Sequence, residues 1–234
     1  MLILSVHTAT ASLGVAVVKD GQILVEKILQ PGRQHLENLP DAIHQTLKVT
    51  NNKLQDFDGF GIAKGPGSFS GIRVGLSVIK GLALALNKKV IALSTLEILA
   101  WQAVNKGGLV VPLIDAGRGD IYTGVFEKLE KDIHVVQIPL LLNIEEIGNL
   151  LSVAGLRRAT LCGSMELLNI IGEDKRFERK VIDHISPGAM GNLAEKRLQN
   201  GLFEDPQTLT PLYVRRSDAE ERKERVVSNM SGNV

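Results

Sequence analysis

Apolar and polar residues alternate along the first part of the chain in the pattern of β-strands. Three apolar runs with a period of two come first, at Leu2–Val6, Leu13–Val18 and Ile23–Leu29, and Asp20-Gly21 between the last two is typical of a tight hairpin. Apolar residues then recur at positions 36, 39, 43 and 47, which predicts a helix over 34–48. We expect Pro40 to kink this helix or to mark its start, because proline lacks the N–H that a helix interior uses.

A glycine-rich turn and a longer helix complete this unit. The apolar run Phe57–Ala63 predicts a strand, and the loop Lys64–Gly67 follows it. Apolar residues at 69, 72, 76, 79, 83 and 86 predict a long helix, and Val90–Leu93 predicts a closing strand. The first half is therefore predicted to contain three strands, a helix, a strand, a glycine turn, a helix and a strand.

The second half of the chain repeats this order. The predicted strands are Val110–Ile114, Ile121–Phe126, Ile133–Leu142, Ala159–Cys162 and Lys180–Ile182, and the predicted helices are Ile144–Leu151, Met165–Ile171 and Gly188–Gln199. The doubling predicts an α/β fold with two repeated halves, each a mixed five-stranded sheet with flanking helices. Such an arrangement resembles the actin/Hsp70/sugar-kinase (ASKHA) architecture.

The helix Thr95–Val104 and the loop Lys106–Gly108 form the predicted seam between the halves. We expect one half over 1–104 and the other over 105–216, with the last helix able to pack back on the first half. After Val214 the composition changes, because Arg215–Arg225 is dense in charged residues. Residues 217–234 are therefore expected to form a charged, disordered tail.

Composition excludes several classes of protein. The chain has 234 residues, of which 44% are hydrophobic, so it can bury a sizeable core. Its 27 basic and 26 acidic residues give a formal charge of +1, so any contact with RNA must be local or made through a partner, and no membrane partner is expected. Cys162 is the single cysteine, which excludes an internal disulfide. Met1–Val6 is too short for a signal peptide, and a cytoplasmic location is expected.

Two turns are candidates for nucleotide chemistry. In the ASKHA architecture a nucleotide lies between the halves, and turns equivalent to 6–10 and 115–120 meet its phosphates. A phosphotransferase needs an acid in the first turn as a base or to hold a metal-bound water, but His7 stands there. The alternative is that His7 and Asp115 are ordinary polar residues at strand ends. Weak candidates for cofactor contacts are Thr8, Asp115 and Gly117.

The sequence contains no recognisable metal site or nucleophile. No two of the five histidines lie three to five residues apart, so a two-histidine helix face is absent. Ser68 and Ser70 lack the glycine context of a nucleophile elbow, and Cys162 stands alone. We therefore expect no bound metal and no catalytic residue.

The most distinctive segment is the glycine-rich stretch 65–75. It lacks the lysine that a phosphate-binding loop requires, because Gly71 is followed by Ile72-Arg73. Gly67, Gly71 and Gly75 recur every four residues and would form one stripe on the helix. Each glycine inside a helix costs about 1 kcal/mol relative to alanine, so close packing must compensate for it. The packing partner is either the helix over 34–48 of the same chain or a helix of a second chain.

Several segments together resemble the bacterial TsaB (YeaZ) family. They are the stretch 65–75 with Lys80–Ala83, then Ser94–Glu97, Ile114–Arg118 and Pro211–Arg215, and the resemblance spans 1–216. It implies an actin-like fold and a non-catalytic subunit that binds TsaD, the protein that transfers a threonylcarbamoyl group to adenosine 37 of tRNAs that read codons beginning with A. TsaC, which makes the activated threonylcarbamoyl donor, and the ATPase TsaE complete that bacterial system.

The resemblance also implies partner-binding helices in the first half. The partner-binding residues predicted in this way are Leu36, Leu39, Ile43, Gly67, Ser68, Gly71, Arg73 and Gly75. The same surface is expected to form a homodimer, tRNA is expected to be contacted indirectly through the complex, and a nucleotide is expected only at an interface with partners. An older description of the family as glycoproteases is not supported here, because metal ligands are missing.

One departure from the family pattern concerns the first turn. Family members commonly have Asp-Thr-Ser there, and this chain has His7-Thr8-Ala9. The change disfavours independent nucleotide or magnesium binding and favours a scaffold, or pseudoenzyme. The alternative function is a small-molecule kinase or ATPase of the actin-like superfamily.

Overall fold

The computed structural model describes residues 1–29, 37–104, 107–130, 132–153 and 156–215. The strands are β1 (Leu2–His7), β2 (Leu13–Lys19), β3 (Gln22–Leu29), β4 (Gly59–Ala63), β5 (Lys89–Leu93), β6 (Gly108–Gly117), β7 (Asp120–Lys128), β8 (Ile133–Asn143), β9 (Ala159–Gly163) and β10 (Phe177–Val181). The helices are α1 (Leu39–Thr50), α2 (Phe69–Leu86), α3 (Thr95–Ala103), α4 (Ile147–Val153), α5 (Met165–Ile171) and α6 (Pro187–Gln199).

The strands form two five-stranded sheets with the same topology. The first has the order β3-β2-β1-β4-β5, and the second has the equivalent order β8-β7-β6-β9-β10. In each sheet three antiparallel strands are followed by two that pair in parallel. The predicted fold class, two repeated mixed sheets with flanking helices, is therefore confirmed.

The last helix of each half crosses to the other sheet. α3 packs on β6, β7, β8 and β9 of the second sheet, whereas α6 packs on β1 to β5 of the first sheet. Residues 95–100 of α3 are all buried, because this helix is apolar on nearly every face. The seam in the sequence therefore does not separate two self-contained layers, since each sheet depends on a helix from the other half.

Charged side chains fasten these crossing helices. Arg197 of α6 forms an ion pair with Glu97 of α3, and its Nε lies 3.4 Å from Asp132, which precedes β8. Lys128 of β7 donates to the carbonyl oxygens of Trp101 and Val104 at 3.0 and 3.1 Å, where α3 ends. Its Nζ also lies 3.3 Å from the centre of the Trp101 ring. A cation at a helix C-terminus stabilises the carbonyl groups that have no partner in the helix.

The structure decides one local alternative and corrects one strand. Pro40 lies in the first turn of α1, which begins at Leu39, so of the two predicted roles the proline has the second and marks the helix start. β10 covers Phe177–Val181 instead of the predicted 180–182. The apolar pattern did not indicate the whole of β10, because β10 is an edge strand with three charged residues. Phe177 is its one buried apolar side chain. Leu36 and the predicted tail over 217–234 lie outside the described residues.

Candidate functional site

The glycine-rich segment forms the turn from β4 into α2. Ser68 caps the helix, because its hydroxyl accepts from the Gly71 N–H at 3.2 Å. The peptide bond between Gly65 and Pro66 is cis, and Gly65 and Gly67 have φ values of +109° and +149°. Residues with side chains rarely adopt such positive φ values, so both turn positions require glycine.

The glycine stripe of α2 faces the first turn of the same chain. A Cβ on Gly71 would lie 2.0 Å from the carbonyl oxygen of Thr8, and one on Gly75 would lie 2.2 Å from the Thr8 hydroxyl. A Cβ on Gly67 would lie 1.9 Å from the carbonyl oxygen of Ala9. Of the two alternatives that the sequence left open, internal packing is therefore found, although against the 7–10 turn and not against α1. The prediction that Gly71 and Gly75 bind a partner is wrong, because both are buried in this contact, whereas Gly67 is half-buried and its predicted role stays a prediction.

Hydrogen bonds also stabilise the contact between the start of α2 and the first turn. The Ser68 N–H donates to the carbonyl oxygen of Ala9 at 2.7 Å, and the Thr8 hydroxyl donates to the carbonyl oxygen of Gly71 at 2.7 Å. Thr8 and Ala9 are fully buried there. The start of α2 is thus packed against protein backbone, at the end of the helix where an anion would otherwise find free N–H groups.

The opposite side of α2 is exposed and consists mostly of small and apolar residues. This outer stripe contains Ser70, Arg73, Val74, Ser77, Val78, Gly81, Leu84 and Ala85. Leu84 is 50% exposed, and a Cβ on Gly81 would have no atom within 4 Å. By length and composition α2 could cross a membrane, but its inner face lies on the first sheet. The outer stripe has small residues and one charged residue, Arg73, which suits the close approach of another helix.

An aromatic cluster lies at the start of this stripe. The rings of Phe69 and Tyr213 stack with their centres 4.8 Å apart, and the Arg73 guanidinium lies 3.7 Å from the centre of the Phe69 ring. Arg73 Nε donates to the Tyr213 hydroxyl at 2.9 Å. Sequence analysis identified Arg73 but not Tyr213, which lies 140 residues away and whose one signal was the Pro211–Arg215 segment of the family resemblance.

The predicted partner residues of α1 lie elsewhere than expected. Leu39 and Ile43 are 0% and 6% exposed and belong to the core of the first half, so the prediction that they bind a partner is wrong. The helical period indicated that they share one face, but that face meets β2 and β3. Ser68 and Arg73, by contrast, are both exposed.

His7 occupies the first turn as a buried, neutral side chain. It is 0% exposed, and its Nε2 shares a hydrogen bond of 2.7 Å with the Thr10 hydroxyl. Nδ1 is buried and has no hydrogen-bond partner among the described residues. Burial lowers the pKa of His7 to about 3, because a charged imidazole loses its hydration there. An uncharged, enclosed imidazole offers neither the carboxylate nor the exposed base that phosphoryl transfer requires.

The second turn is held by its own backbone and by the C-terminal segment. The exposed Asp115 carboxylate accepts from the Gly117 N–H at 2.8 Å. Arg215 donates to the carbonyl oxygen of Ala116 at 2.6 Å and forms an ion pair with Asp120. Residues 209–215 thus connect the turn to α2, since Leu209 accepts a hydrogen bond from Lys80.

A cleft of about 280 Å³ lies where the two halves meet. Thr10, Asp115, Ser164 and Asp183 contribute its polar atoms, together with His184, and aliphatic side chains form the rest. The two carboxylates give the cleft an acidic character that disfavours phosphate groups. Of the predicted cofactor contacts, Asp115 lines this cleft, while Thr8 is buried against α2 and Gly117 is absent from its lining.

The remaining candidates for chemistry are separate from these turns. Among residues 1–29, 37–104, 107–130, 132–153 and 156–215, no group of three or more His, Cys, Asp or Glu side chains is placed to hold a metal ion. Cys162 is fully buried, with its thiol directed at the carbonyl oxygen of Leu99 in α3, and burial raises the pKa of this thiol. A buried thiol with a raised pKa has little thiolate at neutral pH and is a structural residue.

Comparison with known protein families gives one match that covers most of the chain. The family model described as "TsaD: tRNA N6-adenosine threonylcarbamoyltransferase" matches residues 23–223. Proteins described as tRNA threonylcarbamoyladenosine biosynthesis protein TsaB are similar over shorter lengths. The protein from Bacillus subtilis strain 168 is 35% identical over 54% of this chain and 56% of its own length, and that from Escherichia coli K12 is 33% identical over 57% and 58%.

These alignments span a little over half the length of the curated relatives. A solved structure, YeaZ from Pseudomonas aeruginosa, superposes over 91% of this chain and 99% of its own with a TM-score of 0.79. Its sequence identity is 22%, so this likeness bears on the fold. The repeated sheets described above are thus shared with a natural protein along nearly its whole length.

Proposed function

The chain belongs to the family that the TsaD model describes, and within it to the TsaB (YeaZ) group, and from this premise we propose that it is a non-catalytic subunit of the machinery that makes N6-threonylcarbamoyladenosine in tRNA. Its task is to bind a TsaD protein through the outer stripe of α2. The ATPase TsaE is a further partner under this proposal. The tRNA substrate is then modified by the partner and not by this chain.

The observation that carries the proposal is the exposed outer stripe of α2. Leu84, Ala85 and the half-buried Val74 and Val78 lie along one side of a single helix, and contiguous exposed apolar side chains of this kind are typical of interaction sites. The small residues Ser77 and Gly81 lie between them and allow a second helix to approach closely. Beyond Arg73 the stripe has no charged side chain, so two helices that pack there bury apolar area without charged groups to desolvate.

The aromatic cluster at the start of α2 supports the same surface. Arginine and tyrosine are enriched among the residues that carry most of the energy of protein interfaces. Here Arg73 and Tyr213 are already ordered by stacking and a hydrogen bond, so little side-chain entropy is lost when a partner covers them. A second copy of this chain is the competing occupant, because the same stripe can also meet itself.

The first turn supports a subunit that is not itself an enzyme. Its only ionisable side chain, His7, is enclosed and uncharged, and the start of α2 is packed against Thr8 and Ala9. The equivalent turn of a kinase must stay open to phosphates and carry an acid. The alternative function, a small-molecule kinase or ATPase, therefore lacks a supporting group at this turn.

A charge placed on the outer stripe tests the partner surface. We expect Ser77→Glu to weaken binding to the TsaD homologue from the same source by about tenfold or more, because the new carboxylate must be desolvated in an apolar contact. Ser77 is exposed, so the melting temperature of the variant alone is expected to stay unchanged. Isothermal titration calorimetry of the two purified proteins measures the affinity.

The matched control is Asn149→Glu, which adds the same charge to an exposed position of α4 on the second sheet. This control is expected to bind the TsaD homologue with unchanged affinity. Full-affinity binding by Ser77→Glu would contradict the assignment of the surface. Analytical ultracentrifugation of the unaltered chain shows whether a second copy occupies the stripe when TsaD is absent.

The purified chain alone is expected to show no ATP turnover, because its first turn supplies no base and no metal-binding acid. A phosphate-release assay on the unaltered chain and on Asp115→Ala measures this. Of the predicted nucleotide contacts Thr8, Asp115 and Gly117, Asp115 is the ionisable one, and it lines the cleft. Turnover that is lost in Asp115→Ala would favour the kinase alternative.

A further inference from the structure

A groove of about 440 Å³ lies on the second half, remote in sequence from α1 and α2. It forms where three strands begin, because β9 pairs in parallel with both β6 and β10 (Val110 lies opposite Thr160, and Phe177 opposite Ala159). Its walls are the first residues of β6, the segment 158–160 and the segment 175–178. The proposed interface with a TsaD protein does not use this surface.

Positive charge is concentrated in this groove. Arg158, Lys175 and Arg176 line it, and Glu178 is the one acidic residue among its lining residues. Arg157 is exposed beside Arg158. Three cations and one carboxylate therefore line this groove in a protein with a net charge of only +1, and Arg158 and Lys175 are the cations that no acid among the described residues pairs with, since Arg176 is bound to Asp174. Concave surfaces lined by one sign of charge strengthen the local potential.

Two nearby acids are paired with arginines, one of them an arginine of the groove itself. Asp174 forms an ion pair with Arg176, whose Nε lies 3.0 and 2.9 Å from the two carboxylate oxygens, so Arg176 is not available to an external anion. Glu173 pairs with Arg179 at 3.9 Å. Within the described part of the chain, Arg158 and Lys175 form neither an ion pair nor a hydrogen bond. Two exposed cations in the groove are thus available for an external anion.

The groove is suited to phosphates and not to bases. Phe177 is its aromatic residue, but the ring is 6% exposed and cannot stack on an unpaired base. A guanidinium and an ammonium group bind phosphate oxygens by charge-assisted hydrogen bonds, without regard to nucleotide sequence. The chemistry that remains is recognition of a phosphate backbone.

We propose that this groove binds the phosphate backbone of tRNA, so that the chain contacts the RNA directly through Arg158 and Lys175. This goes beyond the proposed function, in which the subunit binds only proteins. A polyanion is favoured over a single small phosphate because Arg158 and Lys175 come from two separate segments along a groove of about 440 Å³, where each can contact a different phosphate of one backbone. Such binding is independent of sequence and falls steeply with salt.

The test measures binding of fluorescently labelled total tRNA to the purified full chain by anisotropy. The variant is Arg158→Gln with Lys175→Gln, and the control is Lys19→Gln with Lys89→Gln, which removes two exposed cations from the first half. We expect the groove variant to bind at least about tenfold more weakly at about 100 mM salt. The slope of log affinity against log salt should decrease by about two, one for each lost phosphate contact, and the control should leave it unchanged.

The proposal would be overturned if the unaltered chain did not bind tRNA, or if the groove variant and the control lost the same affinity for tRNA. It would also be overturned if inorganic phosphate or ATP bound at this groove and tRNA did not. A lowered melting temperature of the groove variant with unchanged tRNA affinity would also overturn it. In that case the two cations contribute to folding and not to RNA binding. Because the TsaD homologue is not in the assay, failure here leaves the calorimetric test of the proposed function unaffected.

Discussion

Replacing Gly71 by alanine is expected to lower the free energy of unfolding by at least about 3 kcal/mol, because the new methyl group has no room. It would lie 2.0 Å from the carbonyl oxygen of Thr8 and 3.2 Å from the Ser68 hydroxyl. The first neighbour is backbone at the end of a central strand, so it cannot rotate away as a flexible side chain would. Relief requires α2 to move away from β1, which also breaks the hydrogen bond from Thr8 to Gly71.

Gly81 provides the matched control in the same helix. It is exposed, and a Cβ there would meet no atom within 4 Å. Gly81→Ala is therefore expected to raise the free energy of unfolding by about 0.5–1 kcal/mol through helix propensity alone. Urea titrations of both variants measure the two free energies. Equal behaviour of Gly71→Ala and Gly81→Ala would contradict the packing of the glycine stripe against the first turn.

A double-mutant cycle keeps this prediction testable if Gly71→Ala does not fold. A Cβ on Gly75 would lie 2.2 Å from the Thr8 hydroxyl, which is the end of a side chain and can be removed. Gly75→Ala should therefore cost less in a Thr8→Ala background than in the unaltered chain. We expect a coupling free energy of about 1 kcal/mol or more, as for other residues in direct contact. Strict additivity would show that Gly75 does not pack on Thr8.

Acidification is expected to destabilise the chain through His7. Burial lowers the pKa of His7 to about 3, whereas the pKa of histidine in an unfolded chain is about 6.5. As the pH falls below about 6.5, the unfolded chain binds a proton that the folded chain does not bind until about pH 3, so the free energy of unfolding decreases over this window. At about 1.4 kcal/mol for each pH unit, the loss reaches about 2–3 kcal/mol at about pH 4.5.

The measurement is the difference in unfolding free energy between about pH 7 and pH 4.5, from urea titrations of the unaltered chain and of His7→Gln. Carboxylates contribute equally to both proteins, so the difference between them isolates His7. We expect His7→Gln to lose about 2–3 kcal/mol less on acidification, whatever its stability at neutral pH. His134→Gln, at an exposed position of β8, is the control for loss of an imidazole. Identical pH dependence in the unaltered chain and His7→Gln would refute the buried, neutral state of His7.

Local periodicity was sufficient to predict most of the fold. Strands such as Leu13–Lys19 are short apolar runs, and helices such as α5 have the 3.6-residue period, so each element is indicated by residues close together in the chain. The repeated order of elements then restricted the topology to two similar sheets. The prediction was wrong at β10, where a solvent-exposed edge strand carries charges and lacks the alternation of a half-buried strand.

The sequence by itself determined that the chain is a doubled α/β protein, that its first turn has a histidine, and that Gly71 and Gly75 share one face of α2. Only the tertiary structure decided what that face meets, because a helical period defines a stripe but not the rotation of the helix against its sheet. Thr8 and Gly71 are 63 residues apart, and only the pairing of β1 with β4 brings the first turn against α2. The same holds for Arg158 and Lys175, which share a groove because β9 and β10 begin side by side. Contacts between distant segments depend on the packing of whole elements, and a pattern confined to neighbouring residues does not encode them.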